Sequence, residues 1–489
     1  MIEEIKRHTV SGMLWQLLQR GGRAVIELIV QVVMARLLAP EQFGALAVMI
    51  VFINIGNVVV QSGLNTALIQ SPRVSNTDYS TVFWMSFAMS IVLYVVIFSA
   101  APLVAAFYSM PYLIWPLRAL ALVLLINALN SVQVARVTRD LEMRKTFVST
   151  ISSVVCSAII GIVAAVAGAG LWALVLQQLT YQTVNCIVMF NQVDWHPKFE
   201  FDVIRARELF GFGSRLLASG LLNTTYQSLG DLIIGKQFSS IQLGLVSQGE
   251  KYPMAIGNML DGAIQPVMLS AVSHVQSDPS EVKRLVRRAL KTSTYLIAPT
   301  MVLFAVVAPI AVPALLGEKW IESVPYLRVY CLVYALLPIH TTNLQALNGM
   351  GRSDLFLKLE VIKKTYGLAA VLFSAFVLKS VDALVFSYLV TGIISTFVNS
   401  FPNKNIIGYS YREQIKDISP ALMLSAASAF MALCVSSVVK TSMGVFVSQV
   451  VVYVAFYLGV SRILRLDSFV YLCGMTRAFF ESKRNRRSV

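Results

Sequence analysis

Apolar residues run through this chain in long blocks broken by short polar stretches. A helix that crosses a bilayer needs about 20 mainly apolar residues. Blocks of that length fall near 11–37, 43–66, 80–106, 113–134, 147–168, 170–191, 209–235, 243–272, 292–315, 324–347, 356–378, 382–401, 419–438 and 442–462. The pattern predicts an all-α polytopic membrane protein of about fourteen transmembrane helices, with twelve as the alternative count. Blocks 209–235 and 243–272 carry many polar groups. The stretch from Arg465 begins apolar and ends in Lys483-Arg484-Asn485-Arg486-Arg487, a composition suited to a membrane surface where basic residues meet anionic lipid.

Composition agrees with lipid as the main solvent. Of 489 residues, 56% are hydrophobic and 13% charged, against roughly 25% charged in soluble domains; the mean hydropathy is +0.69. The formal net charge of +15 does not point to nucleic acid, because the bases sit in short loops between apolar blocks and not on one face. With the N-terminus in the cytoplasm, 27 of the 40 Lys and Arg residues are cytoplasmic, Lys358 and Arg462 at block edges included, and only Lys236, Lys319, Lys379 and Lys440 fall in outer loops. That bias obeys the positive-inside rule and predicts both termini in the cytoplasm. Cys156, Cys186, Cys331, Cys434 and Cys473 lie far apart, with no zinc or redox spacing, and are expected to act as small hydrophobes. The first helix shows no cleavage signal and is expected to be retained.

The chain repeats itself. Gln42, Gly44, Ile55-Gly56-Asn57 and Gly63 return about 200 residues later as Gln242, Gly244, Ile256-Gly257-Asn258 and Gly262. Ala101-Pro102 followed by Leu117-Arg118 returns as Ala308-Pro309 and Leu327-Arg328. This predicts two pseudo-symmetric six-helix lobes, 1–192 and 209–402, joined by a cytoplasmic linker at 193–208. Two added helices follow in 403–464 and a basic cytoplasmic tail in 465–489. Six is even, so the repeats are parallel, an arrangement that places a substrate path between lobes.

Charges in a bilayer core cost at least ~2.5–3.5 kcal/mol each and so face a cavity or a partner. In the first block Gln16, Arg20, Arg23, Glu27 and Gln31 fall within an arc of roughly 80° on a helix. The second block adds Asn54, Asn57 and Gln61. The equivalent blocks of the second lobe carry Arg215, Asn223, Gln227 and Asp231, then Lys251, Asn258, Asp261 and Gln265. Basic residues outnumber acids in the blocks, which favours an anionic cargo. Guanidinium groups hold phosphate oxygens bidentately, and amides suit sugar hydroxyls. The candidate substrate-binding set is Arg20, Arg23, Arg215, Lys251, Asn54, Asn57, Asn223, Gln227 and Asn258; the candidate ion-coupling set is Glu27, Asp231 and Asp261. Simpler readings stand beside these. Arg23 and Glu27 have i, i+4 spacing and could neutralise each other, as could Glu360 and Lys364 at a span edge. Arg36, Arg118 and Arg328 lie near block ends, where basic side chains snorkel. His340 reads as a hydrogen-bonded packing residue, and Tyr112, Trp115 and Tyr326 as an aromatic belt.

No phosphate-binding loop, dinucleotide fingerprint, metal set or nucleophile with a base is present in the sequence. No cofactor and no catalytic residue are expected. Short outer loops disfavour a polymerase or glycosyltransferase, which remains the least favoured alternative.

The run Ala35-Arg36-Leu37-Leu38-Ala39-Pro40-Glu41-Gln42-Phe43-Gly44-Ala45-Leu46-Ala47 resembles a signature of Wzx-type polysaccharide exporters. Ser62–Gln70, Thr81–Trp84, Ala101–Tyr108, Gly168–Val175 and Leu316–Trp320 are similar in the same order. The resemblance covers about residues 10–400. It implies a two-lobe transporter of a bacterial inner membrane, in the superfamily that also holds multidrug antiporters and peptidoglycan lipid flippases. The implied cargo is an undecaprenyl-pyrophosphate-linked oligosaccharide moved outward by alternating access for O-antigen, capsule or exopolysaccharide. The implied partners are membrane lipids, H+ or Na+ as coupling ion, and a polysaccharide polymerase or co-polymerase. A multidrug or cation antiporter of the same superfamily is the main alternative.

Overall fold

A computed structural model describes residues 2–71, 74–436, 439 and 441–475. Among them there is no strand, and fourteen long helical rods follow one another. These are α1 (Ile2–Leu37), α2 (Pro40–Gln70), α3 (Asn76–Phe107), α4 (Pro111–Arg139), α5 (Met143–Val166), α6 (Leu171–Gln192) and α7 (Val203–Gln237). The series continues with α8 (Ser240–His274), α9 (Pro279–Leu316), α10 (318–349), α11 (353–377), α12 (Val381–Ile406), α13 (Tyr411–Val435) and α14 (Ser442–Ile463). Each overlaps one of the expected apolar blocks. By length and composition α2, α3, α4, α5, α9, α12, α13 and α14 qualify as membrane spans. Among those outside that set are α1, α6, α7 and α8, helices dense in polar side chains. Helix starts follow local signals. At α3 the Ser75 hydroxyl accepts from Asp78 N at 3.1 Å while the Asp78 carboxylate accepts from Ser75 N at 2.8 Å. Ser410 and Glu413 form the same capping box before α13, and Asp202 and Asp278 cap α7 and α9.

Two compact units divide the chain, Met1–Ser247 and Gln248–Val489, so that α8 begins in the first and continues in the second. In the first unit one end of α2, α3, α4, α6 and α7 closes on Leu64, Leu68, Tyr79, Phe83, Val132, Met189, Trp195 and Leu209. The segment between α6 and α7 is stitched to α3: Trp84 Nε1 donates to Lys198 O at 2.8 Å, Asp202 N donates to Thr81 Oγ1 at 3.0 Å, and Arg205 pairs with Asp78 at 3.0 Å. At the other end α2 and α8 press backbone to backbone. A Cβ on Gly44 would stand 1.8 Å from Ser240 O, and one on Gly244 would stand 1.9 Å from Pro40 O. Gly44 and Gly244 hold matched places in the sequence pattern, and the contact is reciprocal, each glycine facing the residue four before the other.

In the second unit an uncharged polar network fastens α13 to the helices before it. Asn343 Nδ2 donates to Gln414 Oε1 at 2.9 Å, Gln414 Nε2 returns a bond to Asn343 Oδ1 at 3.0 Å, and Ser400 Oγ donates to Gln414 Oε1 at 2.9 Å. All three residues are buried, and such a network specifies a unique packing because each alternative leaves a dipole unpaired. Arg287 on α9 reaches Asp417 on α13 at 2.7 Å, and Tyr409 donates to the same carboxylate at 2.7 Å. Tyr295 donates to Ser461 on α14 at 2.8 Å. A further helical segment, 467–475, docks on α9 through Lys291 and Asp467 at 2.6 Å and through Arg288, whose guanidinium carbon lies 3.8 Å from the Tyr471 ring centre. The basic run Lys483–Arg487 lies outside the described residues.

Arg118 and Arg328, expected near block ends, each meet a backbone carbonyl. Pro102 in α3 and Pro309 in α9 lack an N–H, which leaves the carbonyls four residues earlier, Phe98 O and Ala305 O, without their helical donor. Arg118 Nε donates to Phe98 O at 3.1 Å and Arg328 Nε donates to Ala305 O at 3.1 Å. The twin Pro…Arg pattern is one device used twice. Glu360 pairs with Lys363, since i, i+3 also lies on one helix face. Tyr326 is buried against its unit while Tyr112 and Trp115 are exposed, so only the latter two fit a belt.

Candidate functional site

α1 lies on α5, and Arg23 of its polar stripe reaches α6. Trp15 packs at a tilt against Phe147, with ring centres 5.1 Å apart, and Gln19 Nε2 donates to Thr150 Oγ1 at 2.9 Å. One turn on, Arg23 Nε donates to Glu27 Oε1 at 2.8 Å, with 43% and 49% of the two side chains exposed. The Arg23 guanidinium carbon lies 5.2 Å from the centre of the Tyr181 ring on α6. A flat cation over an aromatic face is attracted by the ring quadrupole. Asn185 and Thr150 flank the Tyr181 hydroxyl. Asn130 on α4 donates to Asn185 at 3.3 Å, and Asn127, one turn earlier, donates to Asn57 on α2 at 2.8 Å. The first unit therefore carries a chain of amides and hydroxyls leading to a half-exposed ion pair.

The other sequence-predicted residues fall as follows. Asn54 is exposed on α2 and Asn57 is half-buried. On α7, Asn223 and Gln227 are exposed one turn apart and Asp231 is half-buried. On α8, Lys251 and Asn258 are exposed, while Asp261 is buried and accepts from Gln265 Nε2 at 2.7 Å. The side chains of Arg20 and Arg215 lie outside the described residues. Sequence reasoning missed Tyr181, Asn185, Asn130, Asn127 and Thr150. The signal was present in Gln177-Gln178-Leu179-Thr180-Tyr181-Gln182-Thr183-Val184-Asn185, a polar run inside an otherwise apolar helix. His340 lies with Nδ1 3.0 Å from Asn399 Nδ2, a packing contact as expected. Among the described residues no group of His, Cys, Asp and Glu is arranged to hold a metal ion.

Residues 33–325 match the profile of a family described as polysaccharide biosynthesis protein. Among curated relatives, the succinoglycan biosynthesis transport protein ExoT of Rhizobium meliloti is 22% identical over 87% of this chain and 85% of its own length. The lipopolysaccharide biosynthesis protein WzxC of Escherichia coli is 22% identical over 89% of each chain. The teichuronic acid biosynthesis protein TuaB of Bacillus subtilis is 24% identical over 78% of this chain and 79% of its own. Among solved structures, the lipid II flippase MurJ in an inward closed conformation matches 93% of this chain and 99% of that one, with a TM-score of 0.78 at 12% identity. An inward-facing multidrug resistance transporter of the MATE family matches 81% and 99%, with a TM-score of 0.62 at 14% identity. The fold is that of these transporters.

Proposed function

The chain belongs to the polysaccharide biosynthesis protein family, and from that premise we propose that it flips an undecaprenyl-pyrophosphate-linked oligosaccharide from the cytoplasmic to the periplasmic face of a bacterial inner membrane. The reading includes cytoplasmic termini, alternating access between two lobes, transport without catalysis, and a polymerase or co-polymerase as partner. The observation that carries it is the half-exposed Arg23, held by Glu27 and Tyr181 at the end of an amide and hydroxyl chain.

A pyrophosphate brings more negative charge and more acceptor oxygens than one carboxylate, so it displaces Glu27 from Arg23 by charge-assisted hydrogen bonds. Sugar hydroxyls, which donate and accept, find partners in Asn57, Asn54, Asn223, Gln227 and Asn258. Arg20, Arg215 and Lys251 add positive charge. Glu27, once released, takes up H+ or Na+; Asp231 and Asp261 are the further coupling candidates. Outward movement of a negative cargo is favoured by about 2.3 kcal/mol per charge per 100 mV when the cell interior is negative.

The test is complementation of a flippase-deficient strain. Arg20→Ala, Arg23→Ala and Arg215→Ala should each lower polymer export at normal protein levels; normal export by all three sinks the cationic-site reading. The likeness to a multidrug transporter fold favours a second reading as a drug exporter. Drug resistance conferred on a sensitive strain, without polymer export, would select it.

A further inference from the structure

The segment between α6 and α7 holds apolar side chains in the open on a backbone that is tied down. Phe199 is 95% exposed, yet the chain on both sides of it is fastened to α3. Lys198 N donates to Ser80 Oγ at 3.3 Å, and Lys198 O accepts from Trp84 Nε1 at 2.8 Å. Glu200 Oε2 accepts from Thr77 Oγ1 at 3.0 Å, and Asp202 N donates to Thr81 Oγ1 at 3.0 Å. In extended chain, successive side chains point to opposite sides. Glu200 and Asp202 accordingly spend their carboxylates on Thr77 and on the start of α7, while Phe199, Phe201 and Val203 between and beyond them are exposed. The Phe199 ring lies nearly parallel to Trp84, with ring centres 4.9 Å apart and planes 22° apart.

An exposed apolar patch marks a surface that something covers, and α3 identifies the cover. Trp84, Ile91 and Val95 fall within an arc of about 40° at 3.6 residues per turn. Ile91 and Val95 are exposed along a membrane span, with Val92, Val96 and Leu103 exposed beside them. An apolar face left open along a span is the face that acyl chains cover. Trp84 stands about 10 Å before Ile91 and about 12 Å from the start of α3. The stack of Phe199 on Trp84 therefore continues the lipid-facing stripe toward the helix end, where headgroups begin and where tryptophan is favoured. We propose that Phe199, Phe201 and Val203 insert at the boundary of headgroups and acyl chains, in the leaflet that holds the start of α3, and anchor this segment in the bilayer. The anchor requires α3 to span the membrane and is independent of what the protein carries. Since α7 begins at Val203, the anchor also fixes the depth at which that helix starts.

Fluorine NMR of the full-length protein in nanodiscs of phosphatidylcholine and phosphatidylglycerol measures the depth directly. Para-fluorophenylalanine placed at position 199, or in a second sample at 201, keeps the size and the stacking of the native ring. Three paramagnetic reporters are then compared: a lipid nitroxide just below the headgroup, a lipid nitroxide at the chain end, and a gadolinium chelate confined to water. The headgroup-level nitroxide should broaden both signals most. Strongest broadening by the chelate places the rings in water and overturns the anchor. Strongest broadening by the chain-end nitroxide places them in the bilayer core and also overturns it. Signals that none of the three reporters broadens show a protein cover, from a partner or a second copy, and overturn it as well. With the label at 201, Phe199→Glu should shift the balance from the lipid nitroxide toward the water-borne chelate, because a charge at 199 expels the segment from the acyl boundary. An unchanged balance in Phe199→Glu would show that Phe199 does no anchoring.

Discussion

Arg23 shows how much of a site one helix dictates. Its pairing with Glu27 follows from i, i+4 spacing and was legible in the sequence. Tyr181 was not, because 158 positions separate it from Arg23 and only the packing of α1 on α5 and α6 brings its ring beneath the guanidinium. Arg23→Ala should reduce polymer export about tenfold or more, since a lost charged hydrogen bond in such a site is worth about 1.5–3 kcal/mol. Arg23→Lys should recover only part of it, because an ammonium has no bidentate fork. Export assays at matched protein level check both. A second prediction concerns Asp467, beyond the last helix rod. The hydrogen bond from Lys291 holds its carboxyl below the ordinary aspartate range. A depressed value means the contact is fully present above the unfolded-state value and is lost as pH falls through the folded one. Hydrogen exchange in 467–475 should therefore accelerate on acidification below the usual carboxylate range, and Asp467→Asn should show the faster exchange already at neutral pH.

At the scale of elements, the proline helices α3 and α9 each depend on an arginine from the next helix. The recurrence of Pro102 with Arg118 and of Pro309 with Arg328 was visible in the sequence as a repeat. Its meaning was not, because the orphaned carbonyl and the guanidinium belong to different helices whose crossing is a tertiary fact. Arg118→Ala or Arg328→Ala should each destabilise the protein by about 1–3 kcal/mol, the cost of leaving a carbonyl without a donor. Restoring the helical donor with Pro102→Ala or Pro309→Ala should recover much of that loss in the matching pair only. Thermal unfolding in detergent of the four single and two double variants measures the coupling. An Arg118→Ala loss that Pro102→Ala leaves unchanged would show that the arginine acts elsewhere.

On the scale of the whole molecule, the contact that matters is the one between α2 and α8. Gly44 and Gly244, matched in the sequence pattern, touch reciprocally, so neither tolerates a side chain. Gly44→Ala and Gly244→Ala should each cost about 1–3 kcal/mol through overpacking. Gly392→Ala, in the interior of α12 with only ordinary contact at 3.6 Å, should be neutral or stabilising by roughly 0.5–1 kcal/mol. Unfolding midpoints of the three variants separate a steric requirement from a general intolerance of change in glycine. Cysteine pairs placed beside positions 44 and 244 would lose crosslinking when either alanine holds the helices apart.

Amino-acid order alone determined the all-helical class, the positions of the fourteen rods, their capped starts and the repeat, because those depend on apolar block length, i, i+3 and i, i+4 spacing and backbone hydrogen bonds within a few residues. Tertiary structure alone decided which polar groups meet. It brought Arg118 and Arg328 to orphaned carbonyls and set Tyr181 under Arg23. The physical reason is that a buried polar group takes whichever partner the helix crossing brings within hydrogen-bond reach, and that crossing is fixed by side-chain packing summed over the whole unit.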